Sequence, residues 1–191
     1  MCHGEPSAGI VAYRSTRGWS VDQTAAEGIR SFIRGYKPAD ERRIRFQWNG
    51  KHADEFVDEN LAFREAVKER VLDDLDSAPL QLVCDLYRAE TQFSREAWCI
   101  DGDVARLAEH LLRRGGDRFI EDYIEGKYQS FDASLGTAFE VDLPLAERLL
   151  QAVRDRLRTA AALSEDRRRL LRLGEETFQE WVAKCRQGPP P

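Results

Sequence analysis

Residues 101–128 read DGDVARLAEHLLRRGGDRFIEDYIEGKY, and this stretch decides how the rest of the chain is expected to fold. Its first half has the apolar spacing of one face of an amphipathic helix, at Val104, Leu107, Ala108, Leu111 and Leu112. Gly115 and Gly116 are expected to end this helix, because glycine readily adopts the backbone conformations found at helix ends. Asp117 is expected to cap a second helix, whose apolar face carries Phe119, Ile120, Tyr123 and Ile124. The stretch therefore predicts a helical hairpin that needs a further layer of structure to cover it.

The remaining sequence predicts a mainly α-helical fold, a helical-hairpin bundle with a small antiparallel strand element. Periodic apolar residues indicate helices at 25–36 and 56–75, and a C-terminal helix pair at 144–185 that should pack antiparallel. Residues 80–87 fit a helix or a strand, and the continuation of the pattern to residue 97 favours a helix. Two-residue alternation and short apolar runs indicate strands around Ile10, Phe46 and Phe139.

These patterns predict one domain. A chain of 191 residues is long enough for a single core. We expect residues 8–185 to form that helical domain, with the central hairpin at 101–128 and the C-terminal helix pair at 144–185. Residues 1–7 are expected to be a flexible N-terminus, and residues 186–191 a disordered tail.

The composition is typical of a soluble protein. The chain has 42% hydrophobic and 33% charged residues, and it contains no apolar run of about 18 residues that could cross a bilayer. The N-terminus lacks the segments of a signal peptide, so we expect a cytoplasmic protein without membrane contact. Arginine, alanine and leucine are abundant, which favours a bacterial origin. A net charge of −5 argues against a surface that binds nucleic acid throughout.

No cofactor or metal site is expected from the motifs. The three histidines and four cysteines lack the spacing of zinc sites, and the scattered cysteines are expected to be reduced thiols. No glycine-rich loop follows a convincing strand, and the G-x-S-x-G motif of hydrolases is absent.

Cys2 is the first candidate catalytic residue. Removal of Met1 would place its thiol beside its own amine, the arrangement found in amino-terminal nucleophile enzymes. The opening resembles the MCGI start of class II glutamine amidotransferases. In this chain, however, His3 to Pro6 intervene between Cys2 and the later Gly9 and Ile10. The resemblance implies Cys2 as the nucleophile of a large layered-sheet enzyme, and a helix-rich chain does not supply that fold.

Arg106 and His110 form the second candidate catalytic pair, one helical turn apart. They resemble the arginine and histidine of the HEPN ribonuclease superfamily, helical proteins that use such a pair to cleave RNA. Only three residues separate the two positions here, fewer than in the family motif, and Leu107 stands where a polar residue typically follows the arginine. A surface arginine beside a half-exposed histidine is the favoured interpretation.

Nucleic-acid binding is an alternative function, and it rests on a concentration of arginines near the C-terminus. Such binding depends on neutralising phosphates with basic side chains. The candidate contacts are Arg154, Arg158, Arg167, Arg168 and Arg172. Acidic residues are interspersed among them and aromatic stacking groups are absent, so an ordinary solvated helix pair is favoured over a nucleic-acid interface.

An acidic stretch between residues 54 and 76 suggests a surface for a protein partner, because complementary charge guides association. Tryptophan is enriched at interface hot spots. The candidate partner-binding residues are Asp54, Glu55, Asp58, Glu59, Glu65 and Trp48. We therefore expect a non-catalytic bacterial cytosolic protein-binding module, such as an inhibitor, an immunity-type protein or an accessory subunit. A small helical nucleic-acid-binding protein or HEPN-like ribonuclease is the alternative.

Overall fold

The computed structural model describes residues 23–159 and 164–187. These residues form eight α-helices, in chain order α1 (Gln23–Arg34), α2 (Leu61–Asp73), α3 (Leu80–Ala97), α4 (Val104–Gly115), α5 (Ile120–Lys127), α6 (Phe131–Gly136), α7 (Leu143–Thr159) and α8 (Glu165–Gln187). The mainly α-helical prediction is confirmed. The predictions for Cys2 and for a strand around Ile10 lie outside the described residues.

The expected strand element is wrong for the described part of the chain, which contains no strand. Near Phe46 the chain makes a single antiparallel bridge between Trp48 and Asp58. The Asn49-Gly50 turn forms, with Gly50 at a φ of 77°, but the polar residues after it fold into a 3₁₀ turn at Ala53–Glu55. The pairing therefore has no second strand to extend along. Phe139 lies in the connection between α6 and α7, where its ring packs on Trp181.

The helix predicted at 56–75 is shorter than expected and begins at Leu61. The physical reason is Asp58, whose Oδ1 accepts hydrogen bonds from the backbone N–H of Gln47 at 3.1 Å and of Asn60 at 3.2 Å. These bonds hold residues 56–60 in a non-helical connection. Helix α6 is not among the helices that the periodic apolar residues indicate.

The glycine pair ends α4 as predicted, with Gly116 at a φ of 57°. A Cβ at Gly115 would overlap the ring of Phe119, so the link needs glycine for close packing as well as for its backbone conformation. Asp117 makes no capping bond, since a 3₁₀ turn at Gly116–Phe119 runs directly into α5. Both helices of the predicted hairpin lie against α3, which supplies the expected further layer.

The core is centred on α3 and α5 and is closed by the C-terminal helix pair. Tyr123 of α5 stacks between Tyr87 of α3 and Phe178 of α8, with ring centroids 6.1 and 6.2 Å away. Residues 80–87 are helical, as favoured. Helices α7 and α8 pack antiparallel, as the ion pairs Arg154–Glu175 and Arg186–Glu147 require.

Candidate functional site

Three large apolar side chains are mostly exposed where α3 ends and along α6. Trp98 is 81% exposed, Phe131 is 77% exposed and Leu135 is 62% exposed. Phe131 and Leu135 are four residues apart on α6 and therefore share a face of that helix. We refer to these three residues as the apolar ridge. A cluster of exposed large hydrophobic side chains is typical of an interaction site.

Contacts between α6 and the end of α3 bring the ridge together. The hydroxyl oxygens of Ser94 and Ser130 lie 3.2 Å apart, and Arg95 Nη1 donates to Gln129 Oε1 at 3.0 Å. At the other end of α6, Gly136 lies so close to Ile100 that a Cβ there would overlap the isoleucine side chain. Helix α6 therefore lies alongside the connection that starts at Trp98.

Trp98 ends α3 in a left-handed conformation, with φ 56° and ψ 36°. Its N–H closes the helix by donating to Ser94 O at 3.1 Å. Glycine is the usual residue in this position, because a side chain there costs roughly 1–2 kcal/mol. The tryptophan side chain offsets little of this cost by burial. Neither the left-handed backbone conformation of Trp98 nor the exposure of its side chain stabilises the fold.

The rim of the ridge is acidic. Segments 94–103 and 128–136 contain four carboxylates and one guanidinium group, namely Glu96, Asp101, Asp103, Asp132 and Arg95. Burial raises the pKa of the Cys99 thiol, and the nearby carboxylates, chiefly that of Asp132, raise it further. The thiol is therefore held in its protonated form beside the ridge.

A buried network of ion pairs holds the backbone next to the apolar ridge in place. Arg64 has no exposed surface, and its Nε donates to Glu90 Oε1 at 2.7 Å while its Nη1 lies 2.7 Å from Asp58 Oδ2. One turn later, Lys68 Nζ lies 3.0 Å from Glu90 Oε2 and 2.9 Å from Asp101 Oδ2. The network thus ties α2 and α3 to the connection between α3 and α4.

The network shifts the protonation of its members. Burial of Lys68 opposes its charged form, but Glu90, Asp101 and Glu65 outweigh this and raise its pKa. Burial and the charge of Glu90 raise the pKa of Glu65, partly offset by Lys68. Burial opposes the charge of Asp101, but the Lys68 hydrogen bond and the Asp103 backbone N–H lower its pKa overall. Lys68 is therefore a charged, buried anchor.

Some of the acidic residues predicted to bind a partner are buried in the structure, and others are exposed. Asp58 is buried against Arg64, and Glu65 is partly buried against Lys68, so these two side chains serve the interior. Asp54, Glu55 and Glu59 are exposed, but they lie in the connection before α2 and do not form a helix face. The five acidic candidate residues therefore do not lie together on one helix face.

Trp48 lies beside these exposed acids. Its indole N–H donates to Lys51 O at 2.7 Å, and its ring packs on His52 and Phe56. Trp48 is therefore partly buried by its own loop, and it presents less apolar surface than Trp98.

Arg106 contacts the end of α2, and His110 lies between Arg114 of its own helix and Asp76. Arg106 Nη2 donates to Leu72 O at 2.9 Å, and its Nη1 pairs with Asp103 at 3.1 Å. His110 Nε2 lies 3.3 Å from Arg114 Nη1. Burial and the Arg114 charge lower the pKa of His110, against the opposing effect of Asp76. The contacts explain both residues as packing and capping groups around α2 and α4.

The C-terminal arginines are largely engaged with carboxylates. Arg167 binds both carboxylate oxygens of Glu121, at 2.6 and 2.9 Å, and this holds the pKa of Glu121 below its usual range. Arg154 pairs with Glu175 at 2.8 Å, and Arg158 pairs with Asp155. Arg168 is also engaged, and Arg172 is exposed on α8. The candidate nucleic-acid surface is therefore substantially neutralised.

Sequence reasoning missed the apolar ridge. Phe131 and Leu135 have the four-residue spacing of a helix face, and Ser130 precedes them as a cap that accepts from Ala133 N at 3.0 Å. These sequence signals are sufficient to predict the helix. They do not predict that its apolar face is exposed, because exposure depends on which elements pack over a six-residue helix.

Across residues 23–159 and 164–187, no group of three or more histidine, cysteine, aspartate or glutamate side chains is arranged to hold a metal ion. None of the helices in those ranges combines the length and apolar character needed to cross a membrane. Comparison of the chain with protein-family models, curated proteins and solved structures gives no match.

Proposed function

We propose that this chain is a non-catalytic protein-binding module that holds its partner on the apolar ridge. The observation that carries the proposal is the exposure of Trp98, Phe131 and Leu135 on two segments that contact each other. Tryptophan is enriched among the few residues that supply most of the binding energy at interfaces, and aromatic side chains are enriched at interface cores inside a polar rim.

The base of the ridge suits this role because the surrounding backbone is held in place. The Lys68–Asp101 ion pair anchors the connection after Trp98, and the Ser94–Ser130 and Arg95–Gln129 contacts anchor the start of α6. Side chains on an ordered backbone lose less conformational entropy on binding than side chains on a mobile loop. Binding would therefore use a surface that is already formed.

The proposed partner is another protein that presents an apolar segment flanked by lysine or arginine. Three of the four carboxylates around the ridge are paired, Glu96 with Arg95, Asp101 with Lys68 and Asp103 with Arg106. The remaining carboxylate, that of Asp132 beside Phe131, favours such a segment over an acidic one. Partner recognition would thus combine apolar contact at the centre with charge attraction at the rim.

The proposal is tested by capture from the source organism followed by reconstitution. Phe131→Ser with Leu135→Ser removes most of the ridge at little cost to folding, because both side chains are exposed. Val57→Ser is the matched control, since Val57 is a 49% exposed apolar residue outside the ridge. A partner captured by the wild type would be purified and titrated against all three proteins.

We expect the control to bind like the wild type and the ridge variant to bind at least about tenfold more weakly, as loss of a hot-spot residue predicts. Equal binding by the ridge variant would refute the proposal. So would a purified chain that dimerises through the ridge, because the ridge would then be an interface between copies of the same protein. Light scattering on the purified chain distinguishes that outcome.

A further inference from the structure

Three arginines line a cavity on a different part of the surface, where the segment before α2 meets the start of that helix. The cavity has a volume of about 580 Å³, and its lining residues are Arg42, Arg43, Arg45, Gln47, Asn60 and Phe63. Among the described residues, none of the three guanidinium groups has a carboxylate within ion-pair distance. This sets them apart from Arg113, Arg154 and Arg167, which are all paired.

The backbone that carries these arginines is held rigidly. The side-chain amide of Asn60 donates to the carbonyl oxygens of Arg42 and Arg45, at 3.1 and 3.0 Å. Between them, Ile44 is fully buried in the core. Asn60 itself precedes the first residue of α2 and is held through the Asp58 carboxylate. The spacing of Arg42 and Arg45 is therefore fixed by packing and hydrogen bonds.

Arg43 is oriented by aromatic rings. Its guanidinium carbon lies 4.3 Å from the ring centroid of Phe63 and 4.8 Å from that of Phe32. Stacking on rings leaves the edge of a guanidinium group available for hydrogen bonds. The N–H donors of Arg43 thus remain available at the cavity.

Clustered like charges repel unless an anion lies among them. Asp40 and Glu41 precede these arginines in the sequence, and Glu59 accepts a hydrogen bond from Gln47 of the cavity lining. Among the described residues, none of these three carboxylates forms an ion pair with the cavity arginines. Arginine keeps its charge at all physiological pH values, and its planar fork of donors matches the oxygens of a phosphoryl group. The cavity therefore has the chemistry of an anion site.

We propose that this cavity binds the phosphoryl group of a small phosphorylated molecule. Its volume falls within the usual range of small-ligand pockets, roughly 300–1,000 Å³. A small ligand is favoured over nucleic acid because Arg42, Arg43 and Arg45 converge on one cavity. Of the C-terminal arginines that would continue a basic track, Arg154, Arg158 and Arg167 are neutralised by Glu175, Asp155 and Glu121.

Calorimetric titration with pyrophosphate and adenosine monophosphate at constant ionic strength tests the proposal. Arg42→Gln with Arg45→Gln is the test variant, since both side chains are exposed and neither holds the fold through an ion pair. Arg169→Gln with Arg172→Gln is the matched control, because it removes the same charge from exposed positions on α8. Thermal unfolding of each variant checks that the fold is retained.

The wild type and the control are expected to bind both ligands, and the test variant to bind at least about tenfold more weakly, as loss of charge-assisted hydrogen bonds predicts. Absence of saturable binding by the wild type, or equal loss in the control, would overturn the proposal. Tighter binding of a random-sequence oligonucleotide, lost steeply with added salt, would also overturn it in favour of a nucleic-acid backbone. The ridge variant should bind pyrophosphate normally, which separates this site from the proposed partner surface.

Discussion

Replacement of Arg64 with alanine is expected to destabilise the protein strongly. Arg64 has no exposed surface, and it neutralises the buried carboxylates of Asp58 and Glu90. Breaking a buried ion pair by removing one partner costs about 3–5 kcal/mol, because the remaining charge is left without compensation. Domains of this size lose about 2–4 °C of Tm per kcal/mol, so the Tm should fall by about 6–20 °C.

A surface pair provides the matched control for this prediction. Arg70 of the same helix pairs with Asp73 at 2.8 Å, but both side chains are about half exposed or more, at 48% and 65%. Arg70→Ala should therefore cost less than about 1 kcal/mol. Urea and thermal unfolding of both variants give the comparison. A loss of stability in Arg64→Ala no greater than in Arg70→Ala would refute the assignment of the network as the structural base of the ridge.

Four further predictions concern single features of the fold. Trp98→Gly should leave the Tm unchanged or slightly raised while it weakens partner binding, because glycine relieves the left-handed conformation at little loss of burial. Gly126→Ala should cost about 1–3 kcal/mol in denaturant unfolding, because the added Cβ would overlap the ring of Tyr87. The hydrogen bond and charge of Arg167 lower the folded-state pKa of Glu121. The ionised Glu121 side chain therefore contributes stability above its unfolded pKa of about 4.3, and this contribution is lost as the pH falls through the folded-state pKa. In a plot of Tm against pH, Glu121→Gln should reduce the fall of the Tm at acidic pH. Arg106→Ala with His110→Ala should leave the partner-binding affinity unchanged, and loss of an RNA-cleaving activity in that variant would instead support the HEPN resemblance.

The sequence predicted the helices whose signals are local. Val104 to Leu112 share one face of α4, and the glycine pair marks its end, so neither feature depends on distant residues. The cap of α8 is equally local, since Ser164 Oγ accepts from Arg167 N at 3.3 Å. Such signals arise within one or two helical turns and can be recognised from spacing alone.

The features that define the candidate site depend on distant contacts. Arg64 and Lys68 have the spacing of an ordinary charged helix face, and only the approach of Glu90 from α3 makes them internal. Asp58 was expected in an exposed acidic stretch, and its pairing with Arg64 was not visible in the sequence. Phe131 has the pattern of a core residue, yet its side chain is 77% exposed.

Site-specific photocrosslinking tests the central claim most directly. A photoreactive phenylalanine analogue at Phe131 should form a covalent adduct with the captured partner, because the ridge is the proposed centre of the interface. The same analogue at Arg169, an exposed position on α8, should form none. An adduct from position 169 but not from position 131, with the complex intact, would contradict the account.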